Sequence, residues 1–111
     1  AQLPVEEPDW VRIPVGTHTN IVIASHHMFY LYVLKSKKDG NMYIGSTNNL
    51  RRRLSEHNEG KVQSTKSRAP FELRYYEAYH KESNARSREA SLKKDGRALS
   101  QLKKRISESL Q

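Results

Sequence analysis

Two short apolar runs separated by an Asp-Gly step constrain this chain more than any other feature. Phe29-Tyr30-Leu31-Tyr32-Val33-Leu34 is aromatic and aliphatic throughout, and Met42-Tyr43-Ile44-Gly45 follows after Lys37-Lys38-Asp39-Gly40. Residues of these types suit a pleated surface, and Asp-Gly is a strong hairpin signal. A two-residue Asp39-Gly40 turn pairs Lys38 with Asn41 and Ser36 with Tyr43. Side chains alternate along a strand, so Tyr30, Tyr32, Tyr43 and Gly45 share one side, and Leu31, Val33, Met42 and Ile44 the other. Any even-length turn keeps that sorting; an odd one reverses it. The hairpin thus has a phenolic face and an aliphatic face, and the aliphatic one packs on the core.

The rest of the pattern completes a small domain. Asn48 to Asn58 reads as a helix with Leu50, Arg53, Leu54 and His57 at i, i+3, i+4 and i+7, capped by Thr47 or Asn48. Asn58 to Pro70 is a polar loop, and Phe71 to Tyr79 is a third strand. Ser83 can cap a second helix that runs to about Asp95 and is ended by Gly96. A last helix places Leu99, Leu102, Ile106 and Leu110 on one stripe. The expected class is α/β (α+β): a three-stranded antiparallel sheet flanked by about three helices. At 111 residues one domain is expected.

Charge divides the chain. Residues 1–27 hold Arg12 as their one Arg or Lys, with Glu6, Glu7 and Asp9 and three prolines, whereas everything from Met28 onward is basic and patterned. We read 1–27 as an N-terminal extension, loosely ordered and either a leader, an upstream start or an added segment, and 28–111 as the domain. A net charge of +8 favours a polyanionic partner: DNA, with RNA an alternative. No apolar run approaches a membrane span, and without cysteine there is neither a disulfide nor a thiolate metal site. A cytoplasmic nucleic-acid protein, monomeric or weakly dimeric, is the expectation.

Three further residues carry chemical information. Arg53 and His57 are four apart, hence on one helix face, beside the Leu50 and Leu54 stripe that must turn toward the sheet. An arginine one turn from a histidine, aimed at a tyrosine-bearing sheet, suits an anion site. Arg51 and Arg52 point elsewhere and suit contacts to a phosphate backbone. Glu89 lies between Ala85 at i−4 and Leu92 at i+3, on an apolar stripe where carboxylates are rarely found unless paired or bound to metal. Its two readings are an ion pair with Arg53 or Lys93 and a Mg²⁺ ligand. Mg²⁺ often takes only one or two protein carboxylates.

Taken together these positions resemble the GIY-YIG nuclease signature. Tyr30-Leu31-Tyr32 stands at the first tripeptide, Tyr43-Ile44-Gly45 copies the second, and Arg53, His57 and Glu89 fall on the catalytic arginine, a frequent histidine and the metal-binding glutamate. The stretches His57 to Lys61 and Thr65 to Glu77 are similar to the stand-alone single-domain bacterial subfamily, and the resemblance spans roughly 28 to 110. Tyr30 replaces the first glycine, Ser46 stands where some relatives have lysine, and no asparagine follows Glu89. The resemblance implies a GIY-YIG-like fold and a Mg²⁺-dependent (or Mn²⁺-dependent) endonuclease that hydrolyses DNA, structure- or repair-directed with weak sequence preference. It implies that Tyr32 or Tyr43 deprotonates water, that His57 supports the phenol or relays its proton, and that Arg53 clamps the phosphate while Glu89 holds the metal. Gly45, Arg51, Arg52, Lys61, Lys66, Arg68, Lys93, Lys94 and Arg97 are candidate DNA contacts. The rival reading is a non-catalytic nucleic-acid-binding module on the same fold.

Overall fold

Strand β1 (Phe29–Ser36) runs through the middle of the sheet, antiparallel to β2 (Met42–Thr47) on one side and to β3 (Phe71–Tyr79) on the other. The computed structural model describes residues 27–111. The extension expected over 1–27 therefore lies, but for His27, outside the described residues. Three helices complete the domain: α1 (Leu50–Asn58), α2 (Glu82–Lys94) and α3 (Gly96–Arg105), with a 3-10 turn at Lys66–Arg68 inside the polar loop. The expected three-stranded antiparallel sheet with three flanking helices is what forms. None of the helices described is long and apolar enough to cross a membrane.

The hairpin turn is wider than the two residues expected. Leu34, not Ser36, stands opposite Tyr43, and Lys35 opposite Met42. Ser36 N donates to Asn41 O at 3.0 Å, leaving four residues in the loop. Local polar bonds explain the widening. Ser36 Oγ accepts from the backbone N–H of Lys38 and Asp39 (3.0 and 3.1 Å), and Asp39 Oδ1 accepts from Asn41 N (2.8 Å). Gly40 closes the loop at φ 74°, a conformation that favours glycine. Four is even, so the face sorting survives with the register displaced.

Both faces of the sheet are covered. Leu31, Val33 and Ile44 pack with Leu92 of α2, Leu102 of α3 and Ile106 just past the end of α3. Each such side chain contributes roughly 1.5–3 kcal/mol by leaving water. The opposite face is not purely phenolic: Tyr32 packs there with Leu34, Phe71 and Leu73 under Leu50 and Leu54 of α1. The helix ends also differ from expectation. Asn49, rather than Thr47 or Asn48, caps α1 by accepting from Arg52 N at 3.0 Å, while Thr47 Oγ1 accepts from Asn49 N. Helix α2 starts at Glu82, so Ser83 lies within its first turn and does not cap it. Gly96 opens α3 instead of ending α2, because Asp95 caps α3 by accepting from Arg97 N at 2.9 Å. Arg88 anchors α2 to β3 through Glu77, which also accepts from Tyr75 and Tyr79 hydroxyls at 2.6 Å each.

Candidate active site

Tyr32 sits in β1 opposite Gly45, and the two residues occupy one space. A Cβ on Gly45 would stand 2.5 Å from the Tyr32 phenolic oxygen. The space over Gly45, a candidate DNA contact, is filled by this phenol. Tyr32 is 2% exposed, and His57 and Thr65 are fully buried. His57 projects from the last turn of α1, its Nε2 3.0 Å from Tyr32 Oη and its Nδ1 2.8 Å from Thr65 Oγ1. Tyr43, partly exposed on the edge strand, lies with its ring centroid 5.0 Å from that of His57 and 6.4 Å from that of Tyr32.

Burial governs the protonation of this cluster. It pushes the Tyr32 phenol up to about 12, although the hydrogen bond from Arg53 works the other way. It pushes His57 down to about 4, and the nearby Arg53 charge adds to the effect. At neutral pH Tyr32 is a phenol and His57 a neutral imidazole. The gap between these values makes transfer of the phenolic proton to His57 strongly uphill in the free protein. The hydrogen bond between His57 Nε2 and Tyr32 Oη therefore joins two neutral groups.

Arg53 lies one turn before His57, about a third exposed, with Nη1 2.9 Å from Glu56 Oε1. Its hydrogen bonds to Glu56 and Tyr32 raise its own pKa further, so it is a permanent cation beside the phenol. Arg51 and Arg52 are exposed, away from this cluster as expected.

Glu89 approaches from the other side of the sheet. Because β2 is an edge strand, side chains of α2 reach its rim. Ser46 Oγ donates to Glu89 Oε1 at 2.6 Å and Lys93 Nζ donates to Oε2 at 2.7 Å. Lys93 Nζ also stands 5.6 Å from the centroid of the Tyr43 ring, tying the carboxylate to the tyrosines. Burial pushes the Glu89 carboxyl up, but the bonds from Lys93 and Ser46 outweigh it and hold it below its ordinary value. Of the two ion-pair partners weighed for Glu89, Lys93 is the one that forms. Among the described residues no group of three or more His, Cys, Asp or Glu stands together as a metal cage.

The remaining cations divide. Lys66, Lys94 and Arg97 are exposed, and Lys61 pairs with Glu59 at 3.0 Å. Arg68 is tied to the hairpin: it bridges Asp39 at 2.7 Å and donates to the carbonyls of Asn41 and Met42. Two polar partners escaped the sequence reading. Thr65 lies in the polar loop, where no periodicity marks an inward side chain. Ser46 stands where some relatives have lysine, and its place beside Gly45 in the motif is the signal that marks it.

Comparison with known proteins agrees with this geometry. The GIY-YIG catalytic domain family matches residues 28–106. A UPF0213 protein of Streptococcus pneumoniae serotype 4 is 43% identical over 72 residues, covering 64% of this chain and 72% of its own length. Another from Clostridium perfringens is 43% identical over 68 residues, 60% of this chain and 72% of its own. One from Bacillus pumilus is 43% identical over 68 residues, 60% and 68% respectively. No solved structure matches the chain significantly.

Proposed function

The chain belongs to the GIY-YIG catalytic domain family, and from that premise we propose that it is a divalent-metal-dependent endonuclease that hydrolyses DNA phosphodiester bonds. One observation carries the reading. Tyr32, Tyr43, Arg53 and His57, from three different elements, converge at the sheet edge where Lys93 links Glu89 to the Tyr43 ring. Building this constellation buries a histidine and a threonine at a cost that packing alone does not require.

The chemistry follows from the groups present. Arg53 is a permanent cation with accessible N–H groups, so it can leave Glu56 and clamp the scissile phosphate, donating to its oxygens as negative charge grows. Tyr32 is the phenol that is hydrogen-bonded to His57 and lies near the Arg53 charge, and it is the group that would take the proton of the attacking water after first releasing its own phenolic proton to solvent. Tyr43 lines the open side of the same cluster. Glu89 is ionised and sits at the sheet edge, which suits Mg²⁺ or Mn²⁺ completed by water and phosphate. The bound ion would supply a Lewis acid for the phosphate and positive charge that favours the phenolate. Arg51, Arg52, Lys61, Lys66, Lys94 and Arg97 supply sequence-independent backbone contacts. A single short domain with such contacts suits cleavage directed by DNA structure or damage, with weak sequence preference.

A second reading, a nucleic-acid-binding module without turnover, is favoured by one contact pattern: both Glu89 oxygens are already hydrogen-bonded, by Ser46 and Lys93. Incubating supercoiled plasmid and a labelled RNA hairpin with the protein in Mg²⁺, Mn²⁺ or EDTA separates the two. Nicked plasmid in either metal and none in EDTA is expected. Plasmid that is retarded but uncut under all three conditions overturns the nuclease reading, and faster cutting of the RNA overturns DNA as substrate.

A further inference from the structure

Thr65 has no place in the mechanism above, yet its setting is tightly determined. Its N–H donates to Val62 O at 3.1 Å and its carbonyl accepts from Arg68 N at 2.9 Å, so its backbone is pinned on both sides. The side chain is fully buried, and among the described residues its hydroxyl has one hydrogen-bond partner, His57 Nδ1 at 2.8 Å.

Counting protons decides the direction of that bond. A neutral imidazole carries one donor nitrogen and one acceptor nitrogen. If Nδ1 held the proton, it would donate to Thr65 Oγ1 and leave the threonine's own hydrogen without an acceptor in a fully buried place. An orphaned buried donor is costly. If instead Thr65 donates to Nδ1, the imidazole proton sits on Nε2 and donates to Tyr32 Oη at 3.0 Å, and the one hydrogen left over is the phenol's, beside the partly exposed Tyr43, and not that of the fully buried threonine. The Arg53 charge lies near the same oxygen and works to lower the pKa of the phenol. Tyr32 Oη then accepts from His57, an arrangement that stabilises a phenolate, and a neutral Tyr32 must direct its hydrogen away from His57, out of the cluster.

We propose that Thr65 is a positioning residue that fixes the proton of His57 on Nε2 and so presents Tyr32 with a hydrogen-bond donor. The catalytic consequence rests on the nuclease reading given above; the position of the proton does not. Thr65 acts through His57 and touches neither substrate nor metal.

The test begins with the unmodified chain labelled with ¹⁵N-histidine, the His57 signals being identified by their loss in His57→Gln. Long-range ¹H–¹⁵N correlation is expected to show a single tautomer with the proton on Nε2. A proton on Nδ1, or an even mixture, overturns the proposal without any variant having to fold. Thr65→Val keeps the shape and removes the hydroxyl. It is expected to mix the two tautomers and lower kcat for plasmid nicking roughly tenfold to a hundredfold with KM unchanged. Thr65→Ser is expected to restore both. A Thr65→Val protein that keeps the pure Nε2 tautomer overturns the assignment. If the unmodified chain does not nick DNA, the nuclease reading fails while the spectrum still decides where the proton lies.

Discussion

The two faces of the sheet are built from alternate residues of the same strand and have opposite characters. Leu31 and Val33 enter a buried aliphatic cluster closed by Leu92, Leu102 and Ile106, with polar pairing only at its margin, where Tyr75 and Tyr79 donate to Glu77. Tyr32, between them in sequence, enters a layer where a phenol, an imidazole and a threonine hydroxyl are buried together and must satisfy one another. Hydrophobic packing tolerates adjustment, whereas a buried polar chain is costly if one member is lost. The aliphatic face holds the domain together, and the phenolic face organises a hydrogen-bonded chain from Tyr32 through His57 to Thr65.

That division can be broken by mutation. Arg53→Ala or Glu89→Ala is expected to lower plasmid nicking by about a thousandfold or more while leaving salt-sensitive DNA binding largely intact. Leu31→Ala should do the reverse, costing about 2–5 kcal/mol of stability and leaving turnover per folded molecule near normal. Gel assays of nicking and retardation, beside urea unfolding curves, report both. Cleavage by Glu89→Ala equal to that of the unmodified chain would sink the metal assignment, and loss of affinity alone in Arg53→Ala would make that residue a binding group only.

The same contrast explains what could be read from the sequence. Period-two alternation in Tyr30 to Leu34 placed every hairpin side chain on its correct face, because burial of one face is a strong constraint. The register was displaced because the turn is set by Ser36 Oγ and Asp39, two local polar contacts that binary patterning does not encode. Helical spacing aligned Arg53 with His57, and the position of Glu89 beside Ala85 and Leu92 marked it as unusual. Spacing could not show that Lys93 and Ser46 hold Glu89, since competing partners such as Arg53 were equally reachable in sequence terms. Thr65 was invisible for a related reason: its partner is eight residues away across a loop without periodicity.

A pH titration sharpens the comparison next. His57 falls from an ordinary 6.5 to about 4 in the folded protein. Between those values the unfolded chain binds the proton and the folded chain resists it, so stability falls as pH drops through this window. At about 1.4 kcal/mol per pH unit the loss approaches roughly 3 kcal/mol by pH 4. The depressed carboxylates, Glu89 and Glu77 among them, add their losses only below their ordinary value of 4.5. Urea midpoints should therefore decline between pH 6.5 and 5 in the unmodified chain and stay level in His57→Gln. A flat profile in the unmodified chain would contradict a neutral buried His57.

Gly45→Ala probes the join between the faces more gently. Gly45 does not have a positive φ, so the penalty is steric. The new methyl would lie 2.5 Å from Tyr32 Oη and 2.7 Å from Cζ, and the ring must move off its donor. A cost of roughly 1–3 kcal/mol is expected, with reduced nicking. In a Tyr32→Ala background the same change should cost almost nothing, since the opposing ring is gone. Additive costs in the double-mutant cycle would show that Gly45 serves something other than the phenol.

The smallest expected effect concerns the cation that already occupies Glu89. Lys93 and Glu89 form an i,i+4 pair with the lysine side chain 46% exposed, so the pair contributes under about 1 kcal/mol. A divalent ion approaching Glu89 Oε2 must nevertheless displace that ammonium. Lys93→Met keeps the length of the side chain and removes the competitor. Mn²⁺ binding followed by electron paramagnetic resonance is expected to tighten by up to roughly fivefold, the ratio that 1 kcal/mol allows, with the unfolding midpoint almost unchanged. Weaker Mn²⁺ binding in this variant would instead mean that Lys93 holds the carboxylate in its binding position, and that the ion pair belongs to the assembled site and not to its resting state.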